Sequence, residues 1–279
     1  MAVIYFQKSV FLFFVFFCLQ SFAEHKDLNL YGENSIQNIT HRINGYNIRR
    51  DLEEYERIFG ELPEYLQIEK QVEQLRGGVI YDAGAGKART LIGLLNKYSS
   101  QLNAVVAYSL KKPSYAKEIN QAKRNNYFKF VYVEDFFENE TGARGLIRRQ
   151  LKKRNRGNVD IAFDVMGAFT YTEDTAAVLD KHMELLKPGG LLYLTYVKTN
   201  KGNSTLMFKS KTGQTISTAN FFAQFPEFEV LHSGDYSVRD EEQVGIVLRR
   251  TEEASEQRPA LIESFDGDSV PPIKVIQIQ

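Results

Sequence analysis

Cysteine is almost missing from this chain: of 279 residues the only one is Cys18, inside an N-terminal apolar run. Cleavage after Ala23 leaves none, which excludes disulfides, thiol nucleophiles and zinc–thiolate sites from the remainder. A charge excess of either sign is missing too. Lys and Arg number 35 and so do Asp and Glu, so no overall field draws the chain to nucleic acid or to an acidic partner. Internal repeats and low-complexity blocks are absent. The apolar run at the N-terminus is shorter than the roughly 20 residues of a membrane span.

That run has the pattern of a secretory signal peptide. Lys8 gives a short positive lead, Val10 to Leu19 is unbroken apolar sequence, and Ser21-Phe22-Ala23 sets small residues two apart before Glu24. The expectation is a signal peptide at 1–23 and an exported protein, periplasmic or secreted, with no stable membrane span after cleavage. An uncleaved anchor and a misassigned start are the alternatives. The 256 residues that follow (279 less 23) suffice for one α/β domain with additions.

After a polar lead, 36–76 has a helical pattern. Asp51 is placed to cap a segment with Leu52, Tyr55, Ile58 and Phe59 on one face; Gly60 and Pro63 break it, and Leu66, Ile68, Val72 and Leu75 follow. This gives an N-terminal helical cap at 24–76, in which Arg42, Arg49 and Arg50 face either a ligand or solvent. From Val79 the period alternates. Apolar runs at 79–81, 104–108, 128–133, 159–165 and 191–197 are separated by helical stretches at 87–98, 114–124, 142–154 and 172–186, the pattern of a parallel sheet covered on both faces. Arg144, Arg148, Arg149, Lys152, Lys153, Arg154 and Arg156 fall in one stretch and read as a solvated helix face. A helix near 217–224 leads to 228–232, and 245–249 follows too soon for a crossover, so the final strand runs antiparallel. Residues 252–279 read as a flexible tail.

The first strand ends in Asp82-Ala83-Gly84-Ala85-Gly86-Lys87-Ala88. Glycines there permit a tight turn and close approach of a ligand to the main chain, and the N–H groups of the helix start favour polar or anionic ligand groups. A second motif, Leu186-Lys187-Pro188-Gly189-Gly190, precedes the fifth strand. The acid-x-G-x-G turn with alanine at the third glycine, the L-x-P-G-G motif, and five parallel strands followed by a sixth and an antiparallel seventh resemble the class I S-adenosylmethionine-dependent methyltransferases, over about 68–250. The resemblance implies a Rossmann-like α/β domain at 77–251: a seven-stranded, mostly parallel sheet with an antiparallel last strand and helices on both faces.

Carried over by position, the resemblance assigns Asp82, Ala83, Gly84 and Gly86 to the methionine end of S-adenosyl-L-methionine. Asp135 falls to the adenine amino group, Phe136 to the adenine face, and Asp164 to the methyl-transfer site. The family's second strand ends in an acid that takes the ribose hydroxyls; here Ser109 stands in its place. Losing that charge-assisted pair costs about 1.5–3 kcal/mol of cofactor binding, and serine returns one neutral hydrogen bond. Two readings stay open: a methyltransferase with rearranged ribose contacts, and a non-catalytic binding protein on a degenerate methyltransferase fold. Lys111 and Lys112 suggest a third, a 2′-phosphate as in NADP-binding domains, against which stand Arg89 at the third glycine of that fingerprint and the antiparallel last strand.

Methyl transfer is an in-line attack on an activated methyl, so the protein positions the acceptor and supplies a base where a proton must leave. Asp164 and Tyr171 are the nominees for proton handling; Phe169 and Tyr171 line an acceptor pocket or pack as ordinary core, and His182 reads as structural. No Asp/Asn-Pro-Pro-Tyr/Phe follows the fourth strand, which argues against nucleic-acid amino groups as acceptors. A small molecule or a protein remains. Export conflicts with a cofactor made in the cytosol, unless the segment does not export the chain, the destination holds cofactor, or the domain no longer uses it.

Overall fold

Near-continuous apolar runs become strands of one sheet, and the amphipathic segments between them become the helices that cover it. The computed structural model describes residues 50–109, 117–126, 129–134, 159–172, 174–200, 203–204, 206–238, 241–252, 259–266 and 273–279. Strands β1 (Gly78–Asp82), β2 (Leu102–Ser109), β3 (Phe130–Glu134), β4 (Val159–Val165) and β5 (Leu186–Asn200) run parallel. Three short strands follow: β6 (Asn203–Ser204), β7 (Leu206–Lys209) and β8 (Thr215–Ile216). Then come β9 (Phe228–Val238) and β10 (Glu241–Arg250), an antiparallel pair whose second member inserts beside β5, also antiparallel. The order is β3-β2-β1-β4-β5-β10-β9, with β6 a short addition on β5. This is the expected Rossmann-like sheet with its antiparallel last strand.

Both faces are covered. On one lie α1 (Leu52–Ile58), α2 (Ile68–Glu73), α3 (Arg89–Lys97) and α4 (Lys117–Asn125); Tyr55, Phe59, Leu66, Ile68, Leu91 and Leu94 meet Ile80, Val105, Phe163, Tyr193 and Val247 of the sheet. α1 opens with a reciprocal capping box between Asp51 and Glu54, the arrangement that satisfies orphan N–H groups at a helix start. Its apolar face is the one the sequence predicts. The Tyr193 hydroxyl, buried in the sheet, donates to Leu66 O at 2.7 Å. The helices assigned to a separate cap are thus a layer of the same compact unit, which spans Tyr46–Gln279.

The other face carries α5 (Ala168–Tyr171), α6 (Thr175–Leu185) and α7 (Thr218–Phe222). The helix expected at 172–186 is α6, capped by the Asp174 side chain, which accepts Ala177 N–H; α5 is an extra short turn ahead of it. The Leu186–Gly190 motif, expected as a turn ahead of β5, lies within the strand as a bulge. Pairing with β4 jumps from Val159↔Leu186 to Ile161↔Leu191, and Gly189 takes φ +80°, which L side chains resist. Asp160 closes the far end of the sheet by accepting Val79 N–H at 2.7 Å.

The expected flexible tail is corrected at 261–266 and 273–278. Strands β11 (Leu261–Asp266) and β12 (Ile273–Ile278) form an antiparallel hairpin. Through a parallel pairing of β12 with β7 they build a second sheet, β11-β12-β7-β8. The reason is burial: Ile276 and Ile278 join Leu206, Phe208, Phe221 and Phe222 in the core of this face, a gain of about 1.5–3 kcal/mol per large apolar side chain. Polar residues and Pro271-Pro272 around these short runs hide them in the sequence. The predicted helix at 142–154, the basic stretch at 144–156 and the signal segment at 1–23 lie outside the described residues. Among those described, no helix is long and apolar enough to cross a membrane.

Lys274 fastens the hairpin to the domain. Its ammonium donates to Thr172 O and Thr175 Oγ1, both at 2.7 Å, and pairs with Glu263 at 3.0 Å, with 6% and 13% of the two side chains exposed. Removing one partner of such a pair strands the other charge. Lys274→Ala is expected to lower stability by about 3–5 kcal/mol, read as a lower urea midpoint at unchanged m-value; a loss under about 1 kcal/mol, typical of exposed pairs, would show that the hairpin is not fastened this way.

Candidate functional site

The loop after β1 is tied down on three sides. Ala83 N–H donates to Phe163 O (2.8 Å) and so extends the β1–β4 ladder, Ala85 N–H donates to Tyr108 O at the end of β2 (2.9 Å), and Gly86 O accepts the Tyr132 hydroxyl from β3 (2.8 Å). The loop then enters α3 through Ala88, the N-cap residue, which takes φ +53° and makes no side-chain cap. That left-handed conformation costs an alanine about 1–2 kcal/mol. It accounts for the glycine that the family resemblance places at this position.

Gly84 packs against the loop after β4. A methyl group added to it would lie 2.4 Å from Gly167 Cα, and one added to Gly167 would lie 2.9 Å from Gly84 Cα and 2.6 Å from Asp164 Oδ1. The two glycines bring the loops after β1 and β4 into backbone contact. The close approach is thus made by the chain's own second loop, and the two loops form one continuous rim at the carboxyl edge. Met166, beside Gly167, also sits at positive φ (48°), held by Thr195, whose carbonyl and hydroxyl oxygens accept its N–H at 3.1 and 3.0 Å.

Under this rim lies Asp82, 1% exposed. Its Oδ2 accepts the Tyr55 hydroxyl of α1 at 2.7 Å and its Oδ1 accepts Gly84 N–H at 2.9 Å. Burial pushes its carboxyl up from 3.8 to about 7, against the pull of those two hydrogen bonds and of Arg50, and with a further push from Asp164. Tyr55 is raised well above the usual tyrosine value, by burial first and by Asp82 next. Arg50, one of the arginines that the sequence leaves facing either a ligand or solvent, reaches this edge, with Nη1 3.3 Å from Val165 O and Nη2 3.5 Å from Met166 Sδ.

Asp164 sits behind the rim on the opposite face of the sheet. It is fully enclosed; Oδ2 accepts Phe169 N–H at 3.0 Å and lies 2.9 Å from His182 Nε2, while Oδ1 has no hydrogen-bond partner among the described residues. The carboxylate caps the first turn of α5 and ties it to α6. Phe169 is wholly buried against Tyr196, Phe208 and Phe222, so of its two expected roles it fills that of core.

Of the sequence-predicted residues, Asp82, Ala83, Gly84 and Gly86 come together at the edge. Ser109 is the last residue of β2, buried, and in register with Glu134 of β3. Tyr171 ends α5, and Asp135 and Phe136 lie outside the described residues. Sequence reasoning missed Tyr55, Gly167 and Thr195 as parts of the edge and His182 as the partner of Asp164. Tyr55 carried one signal, its place on the apolar face of α1, and that pointed only to core.

No family model matches the chain, and no curated protein does. Among solved structures the chain is similar to a Burkholderia thailandensis 1,6-didemethyltoxoflavin-N1-methyltransferase with bound 1,6-didemethyltoxoflavin and S-adenosylhomocysteine, at 16% identity over 81% of this chain and 93% of that one, TM-score 0.48. It is similar also to the magnesium protoporphyrin IX methyltransferase of Synechocystis PCC 6803 with bound SAH (13% identity, 76% and 99% covered, TM-score 0.43). A third likeness is to the [4+2]-cyclase SpnF (14%, 65% and 77%, TM-score 0.44). Likeness at this level does not carry activity from one protein to another.

Asp82 has a measurable signature. A carboxyl with a higher pKa folded than unfolded takes up a proton on folding between the two values. Its contribution to stability is therefore greatest below about pH 4 and is lost as pH rises to about 7. The full swing is on the order of 4 kcal/mol. In Asp82→Asn that component is absent, so the difference in unfolding free energy between wild type and variant should change steadily from pH 4 to pH 7.5; a difference independent of pH would show that Asp82 titrates normally.

Proposed function

We propose that the chain binds S-adenosylmethionine across the carboxyl edge of its sheet and transfers the methyl group to a small-molecule or protein acceptor. The observation that carries this reading is the union of two features: a sheet ordered β3-β2-β1-β4-β5-β10-β9 with only β10 reversed among these seven strands, and an acid-x-G-x-G turn at its central strand, joined through Gly84 and Gly167 to the loop after β4. Ligands of open α/β sheets bind outside the carboxyl ends of the strands where the order reverses. Here β1 is followed by β2 on one side and leads to β4 on the other.

The residues fit one end of the cofactor better than the other. At the methionine end, Asp82 presents a buried carboxyl at the point of balance between its two forms, and an ammonium group above the rim favours the ionised one. The loop from Ala83 to Gly86 would complete that end. At the ribose end Ser109 offers a hydroxyl where a carboxylate would accept two hydrogen bonds. When bound, the cofactor supplies a methyl group already activated by the sulfonium charge. The chain's share is to hold the nucleoside, align the acceptor and keep the edge dry. Asp164, enclosed beside His182, holds the β4 turn in place. We further propose that the chain works outside the cytosol, on the strength of the signal-like segment at 1–23.

A second reading, a binding protein that no longer turns over, is favoured by the same Ser109. Calorimetric titration with S-adenosylhomocysteine separates the two. The first reading predicts micromolar binding, with a release of protons at pH 7 that Asp82→Asn removes. No heat at millimolar ligand would leave the second reading in its place.

A further inference from the structure

Arg50 is a cation at the edge that has no counter-ion among the described residues. Its backbone carbonyl accepts the Thr90 hydroxyl of α3 at 3.1 Å, which fixes the chain just ahead of α1. From there the half-buried side chain runs to the end of β4. Among the described residues its guanidinium meets a carbonyl at 3.3 Å and a thioether sulfur at 3.5 Å, a long hydrogen bond and a weak one. The nearby acid is already taken, since Tyr55 and Gly84 N–H occupy the two oxygens of Asp82, and among the described residues no carboxylate pairs with Arg50. Exposed pairs elsewhere show what an arginine finds when an acid is in reach: Arg89 holds both oxygens of Glu118 at 2.9 and 3.1 Å.

A partly desolvated guanidinium is costly to leave unpaired, and its planar fork matches a carboxylate better than any other common ligand group. We infer that Arg50 is the carboxylate-binding residue of the site, receiving the anionic end of a ligand that lies over the Gly84–Gly167 rim. The inference rests on the reading of that rim as a ligand site and adds a residue that neither motif contains. It gives the N-terminal segment a role beyond covering the sheet, because docking of α1 through Tyr55 sets the place of the guanidinium. The carboxylate has two possible sources: the amino-acid end of the nucleoside, or the acceptor.

Titration of wild type and Arg50→Gln with three probes tests this. S-adenosylhomocysteine carries the amino-acid end, 5′-methylthioadenosine is the same thioether nucleoside without it, and benzoate is a bare carboxylate. If the nucleoside supplies the carboxylate, Arg50→Gln weakens S-adenosylhomocysteine about tenfold or more and leaves 5′-methylthioadenosine within about twofold. If the acceptor supplies it, the variant keeps both nucleosides, and benzoate binds wild type saturated with S-adenosylhomocysteine but not the variant. Arg50→Lys, which keeps the charge and loses the fork, should recover part of the affinity in either case and guards against a folding defect in the glutamine variant. Equal loss of both nucleosides, or no difference from wild type with any probe, overturns the inference. Wild type that binds neither nucleoside overturns the underlying reading, and the inference falls with it unless benzoate still distinguishes wild type from Arg50→Gln.

Discussion

The hydrogen bonds that converge on the Asp82 carboxylate tie the described parts of the site together. Tyr55 brings α1 to it from one side and Gly84 N–H brings the loop from the other, while the carboxyl itself is withdrawn from water. Burying an acid is costly unless the partners are good, and here they leave the group near its point of balance at about 7. At neutral pH the carboxyl is therefore divided between its two forms. The two glycines above it transmit the same geometry to β4, because Gly84 and Gly167 can only touch when both loops are in place.

Around this centre the two faces of the sheet do different work. α1 and α2 cover one face with a dry aromatic contact in which Phe59 meets Tyr193 edge-on at 5.5 Å, and the end of that layer delivers Tyr55 and Arg50 to the rim. The other face holds an aromatic cluster of Phe169, Tyr196, Phe208, Phe221 and Phe222. Upon it the second sheet is fastened by Lys274 and Glu263 to the turn between α5 and α6. The segment after β4 is therefore held at two points: at the start of α5 by Asp164, itself beside His182, and between α5 and α6 by the C-terminal hairpin. Two non-glycine residues of the rim, Ala88 and Met166, stand at positive φ.

Most of the sheet was legible in the sequence because buried parallel strands are continuous apolar runs, and five of them with helices between leave few arrangements. The reversed last strand followed from chain length alone, since 228–232 and 245–249 are too close for a crossover. What escaped notice was short or coupled over distance. Strands β7, β8, β11 and β12 owe their existence to one another, and no six-residue window announces a pairing between Leu206–Lys209 and Ile273–Ile278. Asp82 and Gly84 were found by their motif. Tyr55, Gly167 and His182 were not, because an apolar-face tyrosine, a lone glycine and a mid-helix histidine look alike whether or not they meet a buried carboxylate. The motif does not show that Gly84 also packs against Gly167.

The central claim is that a thioether nucleoside lies over the rim formed by the loops after β1 and β4. Amide chemical-shift mapping of the nitrogen-labelled chain during titration with S-adenosylhomocysteine tests it most directly. The account predicts that the largest, saturable shifts fall on Gly84, Gly86 and Gly167, with the second sheet unmoved. Shifts confined to the second sheet, or none at millimolar ligand, would contradict it.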